Sequence, residues 1–171
     1  MIRGVLFDLG STLIRFDGDW DVVQEEGTEA MRQVLVGAGL RLERKALKES
    51  FFREMDQNQR ERQADHIERP MRLILQRALK ALGVRSPGSA IETKALEAFF
   101  RVTEIHWHLM PGAHSLLEGL RGQGLRLAII SNASDDQNVQ RLIDKWSLRP
   151  WFDPIIVSAA VGIRKPHPRI F

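Results

Sequence analysis

Residues 17–107 carry no run of strand character, yet they separate two short stretches that read as buried strands. This interruption limits the folds open to the chain more than any other feature. Before it lies Gly4–Phe7, an apolar run bounded by turn residues and ending on Asp8. After it come Leu125–Ile130, almost wholly apolar and ending at Ser131-Asn132, and then Ile155-Ile156-Val157. Short apolar runs of this kind suit a parallel sheet covered on both faces. A crossover between parallel strands needs only about a dozen residues, so the long helical stretch is a domain in its own right. The expected fold is therefore α/β, with a parallel sheet interrupted by an all-helical insertion.

Within the insertion, Trp20, Val23, Met31, Leu35 and Val36 set the stripe of a helix from about Asp19 to Leu40, stopped by Gly37 and Gly39. A second helix runs from about Glu43 into residues 57–63, with Leu47, Phe51, Phe52 and Met55 on one face. Pro70 fits the first turn of a third helix, which carries Met71, Ile74, Leu75, Leu79 and Leu82 up to Gly83. A fourth, from about Ala90, bears Ile91, Leu96, Phe99, Phe100 and Val102 and fades near Trp107. Beyond Met110-Pro111-Gly112 the pattern returns to α/β. Helices are expected over Ala113–Arg121 and Asp135–Trp146, the latter capped by Ser134 or Asp135.

Composition narrows the function classes. The 171 residues are 43% hydrophobic and 27% charged, ordinary values for a globular chain with ample core. There is no Cys, which excludes a disulfide framework, a thiolate nucleophile and a Cys-ligated metal. The net charge of +3 comes from Arg and Lys interleaved with acids, as in Arg60-Glu61-Arg62, so a nucleic-acid partner is not expected. No apolar run reaches bilayer length and the first residues lack the pattern of a secretory signal; a cytoplasmic protein without a membrane partner is expected.

Parallel strands joined by right-handed crossovers lie with their carboxyl ends on one edge, the edge where open α/β sheets bind ligands. That arrangement brings Asp8, Ser131-Asn132 and Lys165 together: a carboxylate, a hydroxyl with an amide, and an ammonium. The set can attack, orient and neutralise a phosphoryl group. A lone strand-end Asp more often caps a turn; the company it keeps here points to chemistry.

These stretches carry a family resemblance. Val5-Leu6-Phe7-Asp8-Leu9-Gly10-Ser11-Thr12-Leu13 resembles the first motif of the haloacid dehalogenase-like (HAD) hydrolases, Ile129-Ile130-Ser131-Asn132-Ala133-Ser134 the second, and Gly162 to Phe171, through Arg164-Lys165-Pro166-His167-Pro168, the third. Met110-Pro111-Gly112-Ala113 and Trp151 to Ser158 are similar to the family's connecting stretches. The resemblance implies a Rossmann-like core over residues 1–16 and 108–171 and a helical cap over 17–107. It implies Asp8 as a nucleophile that forms an aspartyl-phosphate and as a ligand of Mg²⁺, with the Gly10 backbone carbonyl as a second ligand. Ser131 would hold a phosphoryl oxygen, Asn132 and Thr12 would shape the phosphate-binding loops, and Lys165 would neutralise charge. The substrate class implied is a small phosphorylated metabolite.

Two departures qualify the resemblance. The family's phosphatases place a general acid two residues after the nucleophile, where this chain has Gly10; losing such an acid costs roughly 10² to 10⁴ in rate. Aryl or acyl phosphates should then turn over better than alkyl phosphates. The family's fourth motif, an acidic loop completing the Mg²⁺ site, would lie beyond Phe171, so a truncated chain with a core incomplete at its C-terminus and an exposed apolar edge on Gly4–Phe7 is expected. A catalytically weak ligand- or protein-binding relative, or an inactive fragment, are the alternative readings. His106 and His108 lack a third ligand in the sequence pattern and are expected at the surface or the domain junction. Trp20 and Asp17-Gly18-Asp19, at the entry to the cap, are candidates for substrate contact as well as for plain packing and capping.

Overall fold

The computed structural model describes residues 2–171, and the chain divides into two compact units. One comprises the segment up to Asp17 together with Trp107–Phe171; the other is Gly18–His106. The boundaries differ by one residue from the expected 16/17 and 107/108. Trp107 belongs with the first unit because it opens a strand, Trp107–Leu109, whose ladder pairs it with Phe16.

In the first unit, β1 (Gly4–Phe7), β4 (Arg126–Ser131) and β5 (Ile155–Val157) form a parallel sheet in the order β1-β4-β5. Phe7 lies opposite Ile129, and Ser131 opposite Val157, so β4 and β5 end level and β1 stops two positions earlier on the same edge. β4 is central and buried from Leu127 to Ser131. Its Ile129 meets Leu117 from α5 (Ala113–Gly122) and Leu142 and Ile143 from α6 (Asp136–Lys145) in one apolar cluster. Burying each such side chain contributes about 1.5–3 kcal/mol. Asp135 is the N-cap of α6, its Oδ1 accepting from the Asn138 N–H at 2.7 Å. β1 has β4 as its one sheet neighbour among the described residues, and Leu6 is 56% exposed on it.

Two further strands are absent from the sequence reading. β2 (Ile14–Phe16) and β3 (Trp107–Leu109) pair antiparallel, with Arg15 opposite His108. Three residues each are too few to establish a period-two pattern, and the partners stand far apart in the chain, so pairing is decided by tertiary structure. β5 leads directly into a one-turn helix, α7 (Ser158–Val161).

The second unit holds four helices: α1 (Trp20–Gly37), α2 (Arg44–Asp65), α3 (Met71–Ala81) and α4 (Ser89–Glu104). Met31, Leu35, Leu47, Phe51, Ile74, Leu75, Leu79 and Phe99 form its core, with Phe99 edge-on to both Phe51 and Phe100. α1 and α4 approach closely where Gly27 faces Phe99: a Cβ on Gly27 would lie 2.9 Å from the phenyl ring and 3.0 Å from the Phe99 carbonyl oxygen. Asp19 caps α1 through the Asp21 and Val22 N–H groups, and Glu43 caps α2 through those of Lys45 and Ala46. The residue expected in the first turn of α3, Pro70, instead precedes it with ψ of 150°, an extended conformation, and helical geometry starts at Met71. The buried carboxylate of Glu92 accepts from Gln76 Nε2 and Ser86 Oγ, which answers its burial without a counter-charge. No helix among the described residues is long and apolar enough to cross a membrane.

Candidate active site

The carboxyl ends of the three parallel strands set the backbone of the site. β1 stops at Phe7, and the chain turns through Leu9, whose carbonyl accepts from the Thr12, Leu13 and Ile14 N–H groups, while Ser11 N–H donates to the Ile14 carbonyl. Ser11 takes a left-handed conformation (φ 60°) to close this turn. Leu9 and Leu13 are buried beneath it, so the apolar residues of the motif anchor the loop; on either side of Leu9 in the chain, Asp8 is exposed and Gly10 half-buried.

Asp8 Oδ1 accepts the Leu9 N–H at 2.8 Å and lies 3.0 Å from Lys165 Nζ. Its side chain keeps 46% of its surface exposed, so the carboxylate is both oriented and reachable. Lys165 arrives from the loop after α7. Its ammonium donates to the Ile130 carbonyl at 2.6 Å, and its backbone is gripped by Asn132, whose Oδ1 accepts the Lys165 N–H at 2.8 Å and whose Nδ2 donates to the Lys165 carbonyl at 3.0 Å. The Asn132 amide thus acts on the lysine loop, with one Nδ2 hydrogen remaining. Ser131 closes β4 as a buried strand residue, one position before Asn132. Thr12 sits exposed in the first turn, held through its N–H to Leu9. Strand ends and one side-chain clamp therefore bring together Asp8, Ser131, Asn132 and Lys165, with Thr12 at the rim of the Asp8 turn.

Two contributors were not singled out in the sequence. Ser158, fully buried, accepts the Ala133 N–H at 2.9 Å and donates to the Ala133 carbonyl at 3.0 Å, stapling the loop after β4 to α7. The only signal for it is a small hydroxyl residue directly after an apolar strand. Trp107 places its indole beside Gly10: a Cβ built on Gly10 would meet Trp107 Cη2 at 3.5 Å and Cζ3 at 3.7 Å. The other sequence candidates have local duties. His167 Nδ1 accepts the Arg169 N–H, His108 packs near Trp146, Asp17 pairs with Arg15, and Asp19 is the α1 cap.

For a hard cation such as Mg²⁺, the chain offers one half-exposed carboxylate and the Gly10 carbonyl, which is not among the acceptors of the turn's backbone bonds. Oxygen donors of this kind fit Mg²⁺, which commonly takes one or two carboxylates and fills the rest of its shell with water and substrate phosphate. Among the described residues no group of three or more His, Cys, Asp or Glu side chains is poised around a metal.

A carboxylate and a lysine thus pair at the carboxyl edge of a parallel sheet in an α/β protein, and comparison with known proteins gives the family. The chain matches the haloacid dehalogenase-like hydrolases over residues 2–171 and belongs to that family. Over 65 residues it is 42% identical to the mouse haloacid dehalogenase-like hydrolase domain-containing protein 3, covering 38% of this chain and 25% of that protein. It spans only about a quarter of the length of such relatives. It is 26% identical over 171 residues to a glyceraldehyde 3-phosphate phosphatase of Methanopyrus kandleri, covering all of this chain and 68% of that one. Among solved structures it resembles a 2-haloacid dehalogenase of Pseudomonas syringae with a TM-score of 0.63 at 23% identity, covering 100% of this chain and 70% of that one. It also resembles the HAD-hydrolase YfnB of Bacillus subtilis, whose structure is bound to magnesium, with a TM-score of 0.54 at 22% identity, covering 99% and 69%.

Proposed function

We propose that the chain hydrolyses small phosphate esters through Asp8. The observation that carries this reading is the Asp8–Lys165 pair at 3.0 Å, with the lysine fixed by Ile130 and Asn132. A carboxylate oxygen of Asp8 attacks phosphorus as the bond from phosphorus to the leaving oxygen breaks, giving an aspartyl-phosphate and an alkoxide or phenolate that takes its proton from solvent water. Water then cleaves the acyl phosphate, returning the carboxylate and releasing phosphate. Lys165 holds positive charge beside the reacting oxygens; its ammonium has three N–H groups, two of them engaged by Ile130 and Asp8, and the third faces the task of binding phosphate. Ser131 donates to a phosphoryl oxygen. Asn132 keeps the lysine loop in register, and Thr12 orders the Asp8 turn. Asp8 and the Gly10 carbonyl would hold Mg²⁺, which supplies charge neutralisation at the phosphoryl group when bound. The helical unit takes the role of a cap that selects substrate.

Phosphatases among the relatives support this reading: a phosphoserine phosphatase of Thermus thermophilus is 37% identical over 75 residues, 44% of this chain and 29% of that one. The test is phosphate release from p-nitrophenyl phosphate with Mg²⁺ by the wild-type chain and Asp8→Asn. The expected result is measurable turnover that falls by roughly 10³ or more in the variant. Equal activity in both would remove Asp8 as nucleophile. Binding of vanadate, seen as a thermal shift, without turnover would favour the weakly catalytic, ligand-binding reading that Gly10 supports.

A further inference from the structure

We infer that Trp107 is the specificity-determining residue for the leaving group, and that it selects aromatic phosphate esters. This rests on the phosphohydrolase reading above and names the substrate class of the same site. The argument starts from Gly10. It stands two residues after Asp8, beyond the buried Leu9, and it is where the chain omits a side chain. The space left by that omission is walled by one group: among the described residues, the only atoms within 4 Å of a Cβ placed there, apart from the glycine's own chain neighbours, are Cη2 and Cζ3 of the Trp107 indole. Two carbons of the Trp107 six-membered ring therefore lie against Gly10, two residues along the chain from the attacking carboxylate.

The indole is also fixed in place. Trp107 pairs with Phe16 in the β2–β3 ladder, and the Phe16 ring meets it edge-on with centroids 5.4 Å apart. Its carbonyl accepts from Trp146 Nε1 and from Lys145 Nζ, both at 3.2 Å. A side chain this well held presents apolar surface at little entropic cost, and aromatic rings pack on it edge-on or offset. With no acid at position 10 to protonate a departing alkoxide, the site also favours a phenolate, which leaves without that help. Ring packing and leaving-group chemistry then select the same esters. They are separable, because acetyl phosphate has a good leaving group and no ring.

The test measures kcat/KM for phenyl phosphate and acetyl phosphate with Mg²⁺ in the wild-type chain, Trp107→Ala and Trp107→Phe. Calorimetric affinities for phenylphosphonate and methylphosphonate in the same proteins give a readout free of chemistry. The expected result is a fall of about tenfold in the phenyl-to-acetyl kcat/KM ratio in Trp107→Ala, lying mostly in KM, with most of it restored in Trp107→Phe. The phenylphosphonate preference should fall in parallel. An unchanged ratio and unchanged phosphonate preference in a folded Trp107→Ala protein, judged by its thermal transition, would overturn the inference. If the wild-type chain turns over neither ester, the phosphohydrolase reading fails. The phosphonate series then still decides whether Trp107 selects rings.

Discussion

The helical unit and the strand-end site use the same charged side chains to opposite ends. In the helical unit acids and bases pair with one another in small webs: Glu61 meets Arg69 and Arg77, Glu29 meets Arg32 and Arg44, and Glu25 meets Lys48. Each such carboxylate is satisfied by a neighbour, and the hydrogen bond from Arg32 to Glu29 holds that acid below its ordinary range. At the strand ends one carboxylate faces one ammonium, and the surrounding contacts are neutral: a peptide N–H, the Ile130 carbonyl and the Asn132 amide. Cancelled charge tolerates substitution, whereas charge positioned by neutral groups and left accessible is suited to an incoming anion.

The sharpest way to break this contrast is to remove the lysine. Lys165→Met is expected to lower kcat for p-nitrophenyl phosphate by roughly 10² to 10³, the scale for losing one preorganised donor to developing negative charge. By comparison, Arg77→Met, which removes one partner from the Glu61 web, is expected to leave kcat within a factor of two and to change stability by less than about 1 kcal/mol. A large kinetic loss in Arg77→Met would erase the distinction between the two regions.

Gly10 offers a gain rather than a loss. A Cβ there meets only ordinary van der Waals contact with Trp107, so Gly10→Asp is expected to fold and to raise turnover of an alkyl phosphate such as glycerol phosphate by up to about 10², with a smaller gain for phenyl phosphate. Equal gains for the two esters, with chemistry shown to be rate-limiting, would mean that the new carboxylate does not protonate the leaving group.

In the helical unit the largest effect should come from packing instead of charge. Gly27→Ala pushes a methyl group to within 3 Å of the Phe99 ring and carbonyl, and the α1–α4 approach is expected to lose about 1–3 kcal/mol, read from urea unfolding. Charge contributes least. The hydrogen bond from Arg69 holds Asp65 down at about 2 against an ordinary 3.8. A depressed carboxylate stabilises the fold above its unfolded-state pKa and loses that contribution as pH falls through the folded value. The urea midpoints of wild type and Asp65→Asn should therefore differ slightly at pH 5 and converge toward pH 2. A difference that grows on acidification would reverse the assignment.

Much of this organisation was legible in the chain itself. The runs Gly4–Phe7, Leu125–Ile130 and Ile155–Val157 announced parallel strands because apolar residues bounded by turn signals have few other uses, and the helical stripes followed from their period. Asp8, Ser131, Asn132 and Lys165 could be placed on one edge because strand direction fixes where the ends fall. The sequence also determined that position 10 carries no side chain. What only the tertiary structure decided is how that set is held and bounded. The Asn132 clamp spans the chain from β4 to the lysine loop, and the Trp107 indole reaches Gly10 because Phe16 and Trp107 pair across the whole helical insertion. Local patterns record which face a residue presents. They do not record which distant residue meets it, since that depends on closing a long loop whose cost and register are set by the folded core.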